Sequence, residues 1–184
     1  MSAPGSVGGG ERVRLFCALR LPHSVVDVLV AWQLEHVVRG RAVPRDNLHV
    51  TLAFIGWTPR ERLDEVVRQL ADASAAAQQM RLEPVGYRET RSVGMVVLRD
   101  ERGAAAAFAA DLHGRLERLG VYEREARTWL PHVTVSRFKE RTRLHPPPPA
   151  TGPIVPSEAA AYLSLLRPSG AEYVVLESVT LGGN

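Results

Sequence analysis

His49-Val50-Thr51-Leu52 recurs as His132-Val133-Thr134-Val135, and each tetrapeptide stands inside an apolar, β-branched run that predicts a strand. Successive side chains on a strand point to opposite faces, so His49 shares a face with Thr51 while Val50, Leu52 and Phe54 take the other. The same parity joins His132 to Thr134 and sets Val133 and Val135 behind them. Each strand therefore offers one imidazole and one hydroxyl to a surface and anchors itself by aliphatic residues on the reverse. A single histidine beside a threonine in a strand is ordinarily a hydrogen-bonded, half-buried pair. Two aliphatic-flanked copies are expected by chance in well under about one per cent of chains of this length. Helix and hairpin elements recur around the two strands in a comparable order, which points to a duplication that brings two equivalent strands together.

Outward from these strands, the pattern predicts a flexible Gly-, Ser- and Pro-rich tail over 1–12 and a strand from Val13 to Leu21. Pro22 opens a helix to about Val38, with Val25, Val26, Leu29 and Val30 on one face and Trp32 on a flank. The first motif strand runs from Asn47 to Ile55 and is ended by Gly56. Thr58, Pro59 and Glu61 then start a helix whose buried stripe is Leu63, Val66, Val67 and Leu70. Met80 to Arg88 and Gly94 to Arg99 pair across a turn. A helix from about Gly103 to Leu119, with Phe108, Leu112, Leu116 and Leu119 at helical spacing, is closed by Gly120. The second motif strand runs from about Trp129 to Phe138. A loop over 139–156 contains the stiff run Pro146 to Pro149, and Ala160 to Leu166 with Glu172 to Leu181 form a hairpin. Hairpins exclude a purely parallel sheet, so the class is α+β with antiparallel sheets.

The chain has 184 residues, 45% hydrophobic and 23% charged, the size and balance of one globular domain, which we place at 13–184. No apolar run reaches the length that crosses a bilayer and the first residues lack a secretory core, so a cytoplasmic location is expected. Cys17 alone allows no disulfide framework and reads as core packing. The net charge of +3 is too small to identify a nucleic-acid binder unaided. Every basic residue except Lys139 is arginine, so each must be argued by position.

Asn47 to Gly56 and Pro131-His132-Val133-Thr134-Val135-Ser136-Arg137 resemble the paired signatures of the two-histidine (2H) phosphoesterases. Within them the chain is most similar to the RNA 2',3'-cyclic phosphodiesterase, or 2'-5' RNA ligase-like, family. Arg14 to Leu19, Val43-Pro44, and Leu163 to Tyr173 also resemble that family, so the likeness spans roughly 13–181. It implies a bilobal α+β fold, two antiparallel-rich sheets related by pseudo-twofold symmetry with helices outside, and motifs facing each other across a groove. The implied partner is RNA, or a nucleotide, with a 2',3'-cyclic phosphate; the implied enzyme is a monomer with no cofactor and no metal.

Opening a cyclic phosphate with water requires a base for the nucleophile and an acid for the departing ribose oxygen on opposite sides of phosphorus. Two imidazoles of ordinary pKa about 6.5 suit this, one neutral and one protonated. The hydroxyls of Thr51 and Thr134 suit the charge that develops on the non-bridging oxygens. The resemblance implies His49 as acid toward the 3' oxygen and His132 as base on water, leaving a 2'-phosphate. Arg137 matches the family's phosphate-contacting arginine, although strict alternation turns it away unless the strand bulges, bends or ends near Ser136. Trp129 is a candidate for base stacking against the alternative of core packing. Arg41, Arg45, Arg127, Lys139, Arg141 and Arg143 are candidates for an RNA-binding rim against the alternative of solvated charge. His23, His36, His113 and His145 form no metal-ligand pattern, Gly8 to Gly10 is no phosphate loop, and Pro146 to Pro149 reads as a stiff loop rather than a ligand for a proline-reading domain. Two other functions share these residues: a non-catalytic RNA- or nucleotide-binding module, and a 2'-5' RNA ligase running related chemistry in reverse.

Overall fold

The computed structural model describes residues 10–168 and 170–182; most of the predicted tail and the Gly8 and Gly9 positions lie outside them. Strand β1 (Arg12–Arg20) leads into helix α1 (His23–His36), the two-residue strand β2 (Arg41–Ala42), and strand β3 (His49–Pro59). Helix α2 (Leu63–Ala75), the hairpin β4 (Leu82–Glu89) and β5 (Val93–Asp100), helix α3 (Ala104–Arg118), strand β6 (His132–Arg137) and the hairpin β7 (Glu158–Arg167) and β8 (Gly170–Thr180) complete the chain. The class is α+β, as expected. The short strand β2 is invisible to periodicity because two residues carry no period.

All pairings are antiparallel, in the order β4-β5-β6-β3-β1-β7-β8, with β2 added on β6. The two expected arrays, β4-β5-β6 and β3-β1-β7-β8, meet at one register pair, Val50↔Val133, so hydrogen bonding continues through a single eight-stranded sheet. An antiparallel pair has a local twofold axis. Here that axis exchanges Val50 with Val133, which is also what the sequence repeat does, so His49 maps onto His132 and Thr51 onto Thr134.

Helices cover one face of the sheet. Leu29 and Trp32 of α1, Val66 and Leu70 of α2, and Phe108, Leu112 and Leu116 of α3 join Val50, Leu52, Val133 and Val135 in one apolar cluster. Burying each leucine contributes about 1.5–3 kcal/mol relative to exposure, and this pins the reverse face of both motif strands. Two buried polar side chains lock the strands further. Gln33 Nε2 donates to the Val43 and Val135 carbonyls at 3.0 and 2.7 Å, and His113 Nε2–H donates to the Leu52 carbonyl at 2.8 Å. Cys17 is fully buried, which pushes its thiol pKa up to about 12 and makes it core material.

Bulges decide which side chains reach the opposite face. Along β1 and β3 the register passes from Ala18↔Thr51 to Cys17↔Ala53, and from Phe16↔Phe54 to Leu15↔Gly56, leaving Leu52 and Ile55 as extra residues. The first bulge reverses the predicted parity of Phe54, which stands on the histidine face instead of with Val50 and Leu52. Gly56, at φ +78°, accommodates the second. The strand therefore runs through Gly56 to Pro59, and a 3-10 turn at Arg60–Arg62 precedes α2. On β6, the shift from Gly94↔Ser136 to Met95↔Thr134 makes Val135 the extra residue, which turns Arg137 toward the groove.

The segment 139–156 is a strap with regular pairing only at Leu82↔Ile154. Glu89 accepts from Thr142 Oγ1 and from the backbone N–H of Arg143 and Leu144. Burial alone would raise the Glu89 carboxyl, but these donors and the Tyr87 hydroxyl hold it below its ordinary range. Trp32 Nε1–H donates to the Pro147 carbonyl at 2.9 Å, so the proline run lies tied to α1 as a stiff loop.

Candidate active site

The site grows from the turn before β3. Asn47 is held twice, by its backbone N–H to the Pro44 carbonyl and by its Nδ2 to the Ala171 carbonyl, each 2.9 Å. Its own carbonyl accepts His49 Nδ1–H at 2.8 Å. That bond sets the neutral tautomer: the proton sits on Nδ1, and Nε2 accepts from Thr51 Oγ1–H at 3.0 Å. The second motif repeats the device, with His132 Nδ1–H donating to the Leu130 carbonyl at 2.8 Å, which leaves the proton off Nε2 in the neutral ring.

The motif strands pair at Val50↔Val133, which brings the two tetrapeptides side by side. His49, Thr51, Thr134 and Arg137 line a groove of about 610 Å³. His132 stands beside that lining set, near enough that its charge acts on His49. Burial lowers the His49 pKa to about 4, with Asn47 opposing and the positive charges of His132 and Arg137 adding to the depression. In the ligand-free groove at neutral pH, His49 is an uncharged imidazole in a field that favours an anion.

Residues that sequence reasoning missed form the groove's wall. Phe16 lies 4.9 Å from the His49 ring and stacks on Tyr162 at 4.8 Å; Tyr173 approaches His49 edge-on at 5.5 Å. Phe54 stacks on Phe16 at 6.2 Å and keeps 44% of its surface exposed. Phe16 and Tyr162 carry the same apolar signature as any core strand residue, so only the register shows that they sit under a histidine. Arg41, a rim candidate from the sequence, pairs across from Arg137 and lines the groove.

Of the predicted rim, Arg41 alone reaches the groove. Arg45 is ion-paired with Asp27 at 2.6 Å, Arg127 pairs with Glu125, and Arg141 donates to the carbonyls of Glu89 and Thr90. Arg143 and Lys139 are exposed on the strap. Trp129 takes the packing role: its Nε1–H donates to the Thr51 carbonyl at 3.0 Å and its ring packs on the core. The groove's carboxylates are Asp46 and Glu172, the latter paired with Arg167 at 3.0 Å. Among the described residues, no group of three or more His, Cys, Asp or Glu side chains is arranged to hold a metal ion.

The chain is similar to the RNA 2',3'-cyclic phosphodiesterase of Thermus thermophilus, with 30% identity over 191 residues covering 93% of this chain and 91% of that protein. It is similar to the Escherichia coli RNA 2',3'-cyclic phosphodiesterase at 26% identity over 170 residues, covering 91% and 96%. Its fold is like that of E. coli LigT complexed with 3'-AMP, with a TM-score of 0.80 at 24% identity over 93% of this chain and 99% of that one. The model of the 2'-5' RNA ligase superfamily matches residues 22–160. Two histidine motifs related by a diad at the seam of one antiparallel sheet, and a family match over most of its length, make this chain a member of the 2'-5' RNA ligase superfamily.

Proposed function

We propose that the protein hydrolyses 2',3'-cyclic phosphate ends of RNA, or of nucleotides, to 2'-phosphomonoesters by acid/base catalysis with His49 and His132. The observation that carries the reading is that two imidazoles, each with Nδ1–H bonded to a backbone carbonyl two residues back, stand on motif strands that pair at Val50↔Val133, with His49, Thr51, Thr134 and Arg137 lining one groove. The relatives named RNA 2',3'-cyclic phosphodiesterase support the same substrate class.

In the reaction, water attacks phosphorus while His132 Nε2 takes its proton. The P–O3' bond breaks, and His49 Nε2–H protonates the departing 3' oxygen. Thr51 and Thr134 donate to the non-bridging oxygens, and Arg137 offsets their charge. An acid role for His49 requires a proton that the ligand-free imidazole does not hold at neutral pH. The cyclic phosphate anion brings the counter-charge, so His49 takes up its proton together with substrate, and Thr51 Oγ1–H turns from Nε2 to phosphate. No step needs a metal or cofactor. The terminal nucleoside lies along the Phe16, Phe54 and Tyr173 wall. Because one chain supplies both histidines, the working unit is a monomer, and we place it in the cytoplasm as one bilobal domain over 13–184. No helix among the described residues is long and apolar enough to cross a membrane.

The deciding experiment offers purified protein an oligonucleotide ending in a 2',3'-cyclic phosphate, with a chelator present, and identifies the product. A 2'-phosphate formed at undiminished rate is the expected result. A 3'-phosphate product would reverse the assignment of the leaving oxygen. Binding without turnover would leave a recognition module, and net joining of RNA with negligible hydrolysis would mark a ligase.

A further inference from the structure

The histidine face of β3 does not end at the groove. Its bulges at Leu52 and Ile55 turn His49, Thr51, Phe54 and Trp57 to one face, opposite Arg20, Ala18, Phe16 and Arg14 of β1. The β1 partners of Thr51, Phe54 and Trp57 advance two residues at a time, about 7 Å per step at a strand rise of about 3.4 Å, which is on the order of the advance per nucleotide in an extended single strand. Phe54 is 44% exposed and Trp57 58% exposed, whereas Trp32 is only 7% exposed. Neither ring is enclosed in the core, and both stand on the histidine face beside the groove.

Cations accompany the rings. The Arg14 guanidinium lies 4.5 Å from the Phe54 ring centroid and donates to Ser164 Oγ at 3.0 Å. Arg12 donates to the Trp57 carbonyl at 2.7 Å. Among the described residues, neither arginine has a carboxylate partner, whereas Arg20, Arg45, Arg60 and Arg167 do. Aromatic faces interleaved with uncompensated cations, continuous with a groove that holds the phosphate, fit stacked bases and a charged backbone.

Resting on the phosphodiesterase reading, we propose that Trp57, flanked by Arg12 and Arg14, is a second nucleobase subsite that stacks the base immediately 5' of the terminal nucleotide, making the protein prefer RNA chains over mononucleotides. Phe54 is the step between this subsite and the catalytic pair.

The test compares kcat/KM for adenosine 2',3'-cyclic phosphate with that for the dinucleotide ApA carrying the same end. Wild type is expected to favour the dinucleotide about tenfold, the contribution of one stacked base. Trp57→Ala should lose about tenfold more on the dinucleotide than on the mononucleotide, and Trp57→Phe should keep most of the preference. A wild-type ratio near one, or an unchanged ratio in Trp57→Ala, overturns the subsite. Titration of ApA 3'-phosphate against tryptophan fluorescence separates this from the catalytic reading. If neither cyclic phosphate turns over, hydrolysis has failed, yet quenching present in wild type and lost in Trp57→Phe still supports the subsite. No quenching in wild type refutes it.

Discussion

His49→Gln should change the pH dependence of stability in a way that reports the field of the groove without any substrate. The folded imidazole has a pKa near 4 against an ordinary value of 6.5, lowered first by burial and further by His132 and Arg137. Between those values the unfolded chain binds a proton that the folded chain refuses, so folding stability falls as pH falls through this window. The slope is about 1.4 kcal/mol per pH unit, and the whole loss is on the order of 3 kcal/mol. Glutamine keeps a donor and an acceptor in the ring's place but does not titrate. Other groups cancel in the difference between wild type and variant. Urea unfolding from pH 4 to 7.5, in phosphate-free buffer, should show wild type gaining about 3 kcal/mol relative to His49→Gln as pH rises to 6.5, then a plateau. In melting temperature this is on the order of 6–12 °C for a chain of this size. Adding inorganic phosphate should shrink the wild-type slope, since an anion bound beside Nε2 restores the imidazole's affinity for a proton. A difference that stays flat from pH 4 to 7.5 would refute the account of a half-buried imidazole in a positive field. Coincident fluorescence and circular dichroism transitions are needed for the free energies to be comparable.

Thr51→Val and Thr134→Val should each lower turnover of a cyclic phosphate by about 100-fold while the melting temperature stays put; turnover within twofold of wild type would return the hydroxyls to structural roles. His49→Ala and His132→Ala should each lose several orders of magnitude, the double variant less than the product of the two, and the wild-type pH–rate profile should be a bell belonging to the pair. Near-native activity in either variant, or activity abolished by chelator and restored by metal, would contradict the paired-histidine chemistry. Gly94→Ala should destabilise the fold by about 1–3 kcal/mol, because a Cβ there collides with the Tyr87 hydroxyl and Ser136 Oγ, which contact each other across it; an unchanged melting temperature would show that this hairpin yields more easily than its packing implies.

What the sequence makes legible, and what it hides, divides along one physical line. The repeated tetrapeptides carry their own symmetry: once both are strands, antiparallel pairing at Val50↔Val133 is the arrangement that sets each histidine beside the other motif, and parity supplies the common face. Local patterning also locates the helices, since their buried stripes depend on one element and a core. Side-chain direction beyond the motifs depends instead on where a strand slips against its neighbour. Alternation puts Phe54 on the wrong face because the extra residue at Leu52 exists only in the register of β3 with β1. Arg137 needs a bulge that alternation can state as a condition but not supply, and the register of β6 with β5 supplies it at Val135. Gly56 reads as a terminator because a glycine that ends a strand and one that bulges it are spelled alike; only a continuing partner strand, β1 opposite Trp57 and Pro59, separates them. The paired histidines are thus fixed by what the chain repeats, while Phe54 and Arg137 reach the histidine face only where the repeat of the pleat is broken, and Trp57 returns to it because the second slip cancels the first. A bulge-removing change such as Gly56→Val should therefore disturb ligand selection beyond the terminal nucleotide before it disturbs the histidines, which lie on the other side of the Leu52 slip.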